Sequence, residues 1–516
     1  MSIIKYNAAF DLLHNNALNL PKKLAFIDDN ESINYFDLQE KVKSFSKSLL
    51  KLGLNQGDKV IICMHDCINF PISFLGAIWS GIIPVSINTM LPKQDLKYML
   101  EDSGAKVIIC SEDLLNNFIE INKELNKDTL LLVNVRKKSI DNLNCLDINN
   151  LFNEDTKGHL PTITLPRTEC FWLYSSGSTG KPKGTIHLHE SLINSAKLYA
   201  KNILAIKEND IFFSAAKLFF AYGLGNALTF PLSIGGTSIL TEARPTVELV
   251  CNIIKKNSVS LFFGVPTLYA AMLNSKLIVE DFQSLRLSVS AGEALPEHLC
   301  NKWHETIGSD VLDGIGSTEM LHIFISNSVK EIYPGASGKP VPGYEARLIK
   351  DNKKEAGVNE IGELEIKGPT SAIAYWNKPE KSKSTFLGQW TRTGDKYTKN
   401  KLGVYTYCGR ADDMMKVSGQ YVSPFEVEAV LQSHKSVIEV AVVGARDKED
   451  LIKPKAFIVL KEGILACKEL EQELTELVKA TLTPFKYPRW YEFVISLPKT
   501  ATGKIQRYKL RNKCLL

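Results

Sequence analysis

Short apolar runs alternate with longer helical stretches from Ala25 to about Thr164. LAFID is followed by FDLQEKVKSFSKSLLKLGL, DKVIICM, a helical stretch from Phe70 to Ser80, and IIPVSIN, with QDLKYMLEDSG and AKVIIC beyond. Such alternation predicts a layered α/β structure around a largely parallel sheet, because a chain that leaves a parallel strand needs a crossover to return. DIFFSAA, TSILT, VSLFFGVP and LRLSVSAG repeat the theme, so a second, related α/β layer is expected. Past Tyr333 the texture changes to short strands with Gly and Pro turns, as in YEARLIK and GELEIKG, which predicts a small β subdomain. From about Arg410, EVEAVLQSH, VIEVAVVG, PKAFIVL and LEQELTELVKATL alternate helix and strand again. The expected fold class is therefore α/β: a large N-terminal domain over residues 1–410 with two α/β layers and a β subdomain, and a smaller α/β C-terminal domain over residues 411–516.

One segment raises the question of a membrane span. FPISFLGAIWSGIIPVSI, from Phe70 to Ile87, is 18 residues long and uncharged, but Pro71 and Pro84 punctuate it and polar sequence flanks it. A buried helix running through Gly81 and Pro84 into a buried strand is the reading adopted. Composition narrows the function classes. The 516 residues carry 62 basic and 57 acidic side chains, net +5, a balance too even to argue for nucleic acid. The 10 cysteines lack zinc-ligand or disulfide spacing, and His187 and His189 form an H-x-H that one strand or loop explains. Without a secretory pattern at the start, MSIIKYNAAFDLL, a cytoplasmic enzyme with reduced thiols is expected. Only 11 of the basic residues are Arg, which draws attention to Arg410 and Arg507 as sites for planar, two-pronged binding.

The densest chemistry is YSSGSTGKPKG, Tyr174 to Gly184. Glycines let backbone N–H groups turn toward an anion, while hydroxyls and lysines add donors and positive charge. The stretch is not a Walker loop, since Gly177 and Gly180 are separated by two residues and Lys181 is followed by Pro182. It also lacks the G-x-G-x-x-G dinucleotide pattern. A flexible Gly/Ser turn has the same composition; the apolar run CFWLY before it favours a buried strand delivering phosphate donors.

Four further stretches follow: GIGSTEM (Gly314 to Met320), TRTGD (Thr391 to Asp395), GRADDMMKVSGQYVSPFEVE (Gly409 to Glu428) and PKTATGKIQR (Pro498 to Arg507). Taken singly, Glu319 is a helix-start acid, Asp395 a turn residue and Lys504 an exposed lysine. Together, in order and spacing, the five motifs resemble the adenylate-forming superfamily of acyl-CoA synthetases, luciferases and peptide-synthetase adenylation domains. Within it, KLFFAYGLGNALTFPL and DGIGSTEMLHIF resemble the benzoate–coenzyme A ligase group.

The resemblance implies an acid–CoA ligase working in two steps. A carboxylate attacks the α-phosphorus of ATP, expelling pyrophosphate, and the coenzyme A thiol then attacks the acyl-adenylate, expelling AMP. A kinase or simple ATPase would instead release ADP and orthophosphate. By resemblance, Ser175, Ser176, Gly177, Ser178, Thr179, Gly180 and Lys183 hold the β- and γ-phosphates, Thr318 the α-phosphate, and Glu319 the Mg²⁺. Gly292, Glu293, Ala294, Asp313, Gly314, Ile315, Gly316 and Ser317 complete the nucleotide site, with Ile315 covering the adenine where many relatives use an aromatic ring. Asp395 accepts from the ribose hydroxyls and Arg410 supports the same ribose. Lys504 is the catalytic cation between the two approaching anions, carried by a mobile C-terminal domain that turns at Asp412 to bring Gly419 to the pantetheine tunnel. Ala221, Tyr222, Gly316, His322 and Ile323 match the benzoate group's acid slot, so benzoate or a small substituted benzoate is expected, with a medium-chain or other small aliphatic acid as the alternative. Expected partners are the acid, ATP and coenzyme A, with no nucleic acid or membrane, in a monomer or homodimer.

Overall fold

The structure is a computed structural model that describes residues 5–136, 144–177, 180–411, 413–417, 420–449, 451–499 and 505–514. Among these residues two large sheets carry the N-terminal part. In the first, of nine strands, the order runs Lys339–Pro340, Ile323–Ser326, Asp310–Gly316, Leu287–Ser290, Leu261–Gly264, Ile211–Ser214, Thr237–Ile239, Leu24–Ile27 and Ser32–Asn34. The six strands from Asp310–Gly316 to Leu24–Ile27 are parallel, and the outer ones antiparallel. The second, of eight strands, runs Ala374–Tyr375, Gly180–Leu188, Glu169–Gly177, Ile83–Ser86, Lys59–Cys63, Val107–Ser111, Leu130–Asn134 and Cys145–Asp147. Its six strands from Glu169–Gly177 to Cys145–Asp147 are parallel; Gly180–Leu188 pairs antiparallel with Glu169–Gly177, and Ala374–Tyr375 antiparallel with Gly180–Leu188.

Side-chain alternation along the strands sorts the core into layers. Phe212 and Phe263 face one way from the nine-stranded sheet, into a cluster with Leu312, Leu364 and Tyr397, while Phe213 and Phe262 face the other, onto Val250, Tyr269 and Trp303. Between the two sheets lie three helices, Ala8–Asn19, Tyr35–Lys51 and Asn69–Trp79, whose apolar faces share one cluster with Val60 and Ile62 of one sheet and Ala25 and Phe26 of the other. Tyr35–Lys51 begins where the Asn34 side chain accepts the Asp37 N–H and buries Leu38, Val42, Phe45 and Leu49 at helical spacing. Asn69–Trp79 is buried all round, and at Gly76 a Cβ would sit 2.8 Å from Phe45 Cδ1, so glycine permits the two helices to meet. The Phe70–Ile87 segment is thus a core helix followed by the buried strand Ile83–Ser86, and among the described residues no helix is long and apolar enough to cross a membrane.

A five-stranded antiparallel sheet follows, built from Glu345–Ile349, Gly362–Lys367, Phe386–Leu387, Trp390–Lys399 and Tyr405–Arg410. Beyond it the chain forms a small unit: the three-stranded sheet Val437–Arg446, Ile452–Leu460 and Trp490–Phe493, with helices Pro424–Gln432, Lys468–Thr481 and Arg507–Lys513 and core clusters drawn from its own residues. Arg507 grips Glu428 with both prongs of its guanidinium, Nε at 3.2 Å and Nη2 at 2.7 Å, and lies 4.2 Å over the Phe425 ring. The Phe425 ring meets Tyr407 edge-on at 4.8 Å, joining this unit to the preceding sheet.

Candidate active site

The Gly/Ser/Lys stretch is the tip of a hairpin. Strands Glu169–Gly177 and Gly180–Leu188 pair antiparallel, with Ser175 opposite Lys183 and Gly177 opposite Gly180. Several of the expected phosphate-binding residues therefore stand on strand ends flanking the turn. Tyr375, on the next strand, places its ring 4.4 Å under Lys183 Nζ and donates its hydroxyl to Glu319 Oε1 at 2.7 Å. Ser175 Oγ donates to the same oxygen at 3.3 Å. Burial lowers the Lys183 pKa, with the Glu319 carboxylate pulling it back up. Lys183 and Glu319, 136 residues apart in sequence, meet here.

Glu319 reaches that place through a short turn. Strand Asp310–Gly316 ends, Ser317 Oγ accepts the Met320 N–H at 3.3 Å, and a single 3-10 turn holds Thr318–Met320. His187 Nε2, 2.8 Å from the Thr318 carbonyl, donates to it from within the core. Burial holds His187 down at about 4, so its ring is neutral. The strand Leu287–Ser290 lies beside Asp310–Gly316, with Ser290 opposite Asp313, which puts Gly292, Glu293 and Ala294 next to Asp313 to Ser317. Asp313 is buried, its pKa raised by desolvation, and its Oδ1 has no hydrogen-bond partner. Ile315 is half-buried against the core.

Asp395 and Arg410 face each other across the antiparallel pair. Arg410 Nη1 donates to Asp395 Oδ1 at 3.1 Å and to the Thr393 carbonyl at 3.0 Å. Gly394 has φ +75°, and a Cβ there would meet Arg410 Nη2 at 2.8 Å; glycine lets the guanidinium lie across the strand.

The five residues expected to line an acid slot also come together. Helix Ala221–Leu224 holds Ala221 and Tyr222 half-buried, and Tyr222 OH reaches the Val289 and Gly264 carbonyls at 3.2 and 3.3 Å. Tyr222 lies 5.6 Å from the His322 ring, which Phe230 and Tyr199 also approach, at 4.6 and 5.4 Å. His322 Nε2 is 3.0 Å from Asn226 Oδ1, and burial drives its pKa down to about 3. The nitrogen left without a protein partner is Nδ1. Ile323 is buried, and Gly316 backs directly onto the His322 backbone, where a Cβ would lie 2.7 Å from its C and O atoms.

Ser178, Thr179, Asp412, Gly419 and Lys504 lie outside the described residues. His187, Tyr375 and Asn226 are the partners that sequence reasoning missed. The H-x-H was visible, but nothing in it pointed to Thr318, 131 residues away.

Comparison with known proteins places these observations in a family. The AMP-binding enzyme model matches residues 13–376, and the AMP-binding enzyme C-terminal domain model matches residues 426–504. The benzoate–CoA ligase of Thauera aromatica is 51% identical over 516 residues, covering 98% of this chain and 96% of that protein. The 4-hydroxybenzoate–CoA/benzoate–CoA ligase of Rhodopseudomonas palustris is 43% identical, covering 100% and 95%. Among solved structures, a benzoate CoA ligase from Burkholderia xenovorans LB400 superposes with a TM-score of 0.89 at 44% identity, over 98% of this chain and 100% of that one. The anthranilate CoA ligase AuaEII in complex with anthranoyl-AMP gives 0.92 at 38%, over 99% and 97%. With both domain models matched in order and this likeness running the length of the chain, the protein belongs to the AMP-binding enzyme family.

Proposed function

We propose that this chain is an ATP-dependent acid–CoA ligase that converts benzoate, or a small substituted benzoate, to its CoA thioester through an acyl-adenylate, releasing pyrophosphate and AMP. The observation that carries the reading is the meeting of the Ser175–Lys183 hairpin with Glu319 and Tyr375, in a chain that also brings the short helix Ala221–Leu224 against the His322 ring and is similar along its length to benzoate–CoA ligases. The hairpin's N–H groups and Lys183 offset charge on the β- and γ-phosphates, and Thr318 serves the α-phosphate. The unpartnered Asp313 Oδ1 is an acceptor suited to the adenine amino group. Asp395, steadied by Arg410, accepts from the ribose hydroxyls.

Glu319 would hold Mg²⁺, which would supply positive charge to offset the charge developing on the phosphates. Among the described residues no group of three or more His, Cys, Asp or Glu could hold a metal, so Glu319 would be the protein carboxylate offered to the ion. Lys504 would supply the mobile cation in the first step, and Gly419 the thiol channel in the second. Residues 1–410 and 411–516 would move as two bodies about Asp412, a division supported by the separate core of the C-terminal unit. We place the enzyme in the cytoplasm as a monomer or homodimer; its ten free cysteines suit a reducing compartment.

The test is an acid panel in which AMP and pyrophosphate are counted with and without coenzyme A. Benzoate or a small benzoate gives the highest kcat/KM. Octanoate outrunning every benzoate overturns the aryl substrate, and ADP in place of AMP overturns the chemistry.

A further inference from the structure

Asp66 is a buried carboxylate outside the residues discussed so far. It follows strand Lys59–Cys63 of the eight-stranded sheet, in a segment pinned on both sides: His65 N–H donates to Ser111 Oγ at 3.0 Å and Ile68 N–H to Asp28 Oδ2 at 2.9 Å. Its side chain crosses to the other sheet. There the Leu218 N–H donates to both carboxylate oxygens, at 3.0 Å to Oδ1 and 3.2 Å to Oδ2. Burial raises the Asp66 carboxyl to about 6, against the pull of Lys217 and of that N–H. A carboxylate kept where its charge is costly, and aimed at one backbone group of a distant segment, has the character of a functional part.

Leu218 leads into the acid slot. Phe220 N–H donates to the Lys217 carbonyl at 3.0 Å, and Leu224 N–H to the Phe220 carbonyl at 2.8 Å, so helix Ala221–Leu224 starts directly from the tethered segment. Contact between the two is close: a Cβ at Gly223 would lie 2.1 Å from the Lys217 carbonyl oxygen and 2.5 Å from that of Ala216. Lys217 Nζ in turn donates to the Ala243 carbonyl at 2.8 Å. A shift of residues 216–218 has no slack to absorb it before it reaches Ala221 and Tyr222.

We propose that Asp66 is a positioning residue for the acid slot, holding Leu218 so that the two half-buried side chains of helix Ala221–Leu224 meet the carboxylic acid in a fixed place. The inference rests on the reading of that helix as the slot's wall. It differs from the nucleotide machinery in a measurable way, because the tether touches the acid side and leaves the phosphate hairpin alone.

The experiment compares wild type, Asp66→Asn and Asp66→Ala by initial-rate kinetics of pyrophosphate release, varying acid at saturating ATP and then ATP at saturating acid, with melting temperatures alongside. Asn keeps an oxygen that accepts the Leu218 N–H, so Asp66→Asn stays within about threefold of wild type in every constant. Asp66→Ala raises the KM for benzoate at least about tenfold while the KM for ATP stays within about twofold. If Asp66→Ala does not fold, Asp66→Ser, whose hydroxyl falls short of Leu218, takes its place with the same expected split. Equal changes in both KM values, a fall in kcat alone, or Asp66→Asn as impaired as Asp66→Ala overturns the proposal. Wild type inactive on benzoate overturns the substrate reading instead, and the same split is then read with the acid it uses best.

Discussion

Leu321 sits in a backbone conformation that an L-residue rarely takes, and the consequence can be measured. Its φ is 67° and ψ −44°, and the His322 N–H donates to the Met320 carbonyl at 2.8 Å. This is a γ-turn of the rare, strained hand. It reverses the chain between Glu319, which accepts from Ser175 and Tyr375, and His322, which packs beside Tyr222. Strain of this kind amounts to about 1–3 kcal/mol. The Leu321 side chain is 2% exposed and belongs to the cluster between the sheets, so deleting it costs about 2–5 kcal/mol. Leu321→Ala loses the side chain and keeps the strain, whereas Leu321→Gly loses the side chain and relieves it. Both variants are therefore less stable than wild type, but Leu321→Gly is the more stable of the two by about 1–2 kcal/mol. In an ordinary helix or strand interior the order is the reverse, Gly falling below Ala by about 0.5–1 kcal/mol. Urea unfolding of the three proteins at one pH, fitted with a shared slope, reads the difference directly. If Leu321→Ala matches or exceeds Leu321→Gly, the turn carries no strain.

Gly316→Ala drives a Cβ to 2.7 Å from the His322 backbone; overpacking of about 1–3 kcal/mol and a displaced slot lower kcat/KM for benzoate at least about tenfold, while Gly357→Ala, whose nearest neighbour is a Glu360 side chain at 3.4 Å, changes neither activity nor melting temperature, and equal behaviour of the two refutes the steric reading. Glu319→Gln exchanges a charged acceptor of the Tyr375 hydroxyl for a neutral one and weakens Mg²⁺ binding; with charged hydrogen bonds worth about 1.5–3 kcal/mol, AMP formation falls by roughly 10- to 150-fold or more and recovers in part at high Mg²⁺, and a loss below threefold rules the role out. Burial holds His187 and His189 at about 4 and His322 at about 3, so below pH ~6.5 the unfolded chain takes up protons that the folded chain refuses. The histidines' contribution is then full above about 6.5 and lost as pH falls toward 4, by about 2 kcal/mol per histidine between pH 7 and 5; Asp66, raised to about 6, and Asp313 and Glu242, also raised by burial, act in the opposite direction, so the loss is read against a His189→Gln variant, and a urea midpoint that depends on pH identically in both proteins contradicts the assignment. Lys504→Ala cuts acyl-adenylate formation at least about 10³-fold and thioester formation from supplied acyl-adenylate far less; equal loss in both half-reactions removes Lys504 from its place.

The sheets were legible because runs such as VIIC and LFFG are contiguous, buried on both faces, and separated by helical stretches. The small C-terminal unit was legible for the same reason. What the pattern could not reveal is pairing at a distance. Gly180–Leu188 pairs antiparallel with the strand ending at Gly177 and, on its other side, with Ala374–Tyr375, a partner nearly 200 residues later that no local pattern announces. His187 looked like an ordinary strand residue, and in local terms it is one; its role comes from the Thr318 carbonyl that the other sheet delivers. Arg507 did prove to be a two-pronged binder, as the scarcity of arginine suggested, but its partner Glu428 lies in its own unit and not on a ligand.

The two sheets share the work in a way that their topology explains. Ser175 and Gly177 stand at the C-terminal end of one parallel strand of the eight-stranded sheet, and Asp66 just past the C-terminal end of another. Lys217, Gly292 and Ser317 follow C-terminal strand ends of the nine-stranded sheet. In open α/β sheets that is the edge where loops converge on a ligand. One sheet thus supplies the hairpin that carries Ser175 and Lys183, and the other the turn that carries Glu319 and the helix that carries Ala221. Among the described residues the strands and loops of the two sheets meet through Ser175 and Tyr375 on Glu319, His187 on Thr318 and Asp66 on Leu218. Because these cross-sheet bonds come from strands and loops of both sheets, with helices packed between them, the place of Glu319 beside Ser175 and that of helix Ala221–Leu224 are set by the docking of the two sheets and not by either sheet alone.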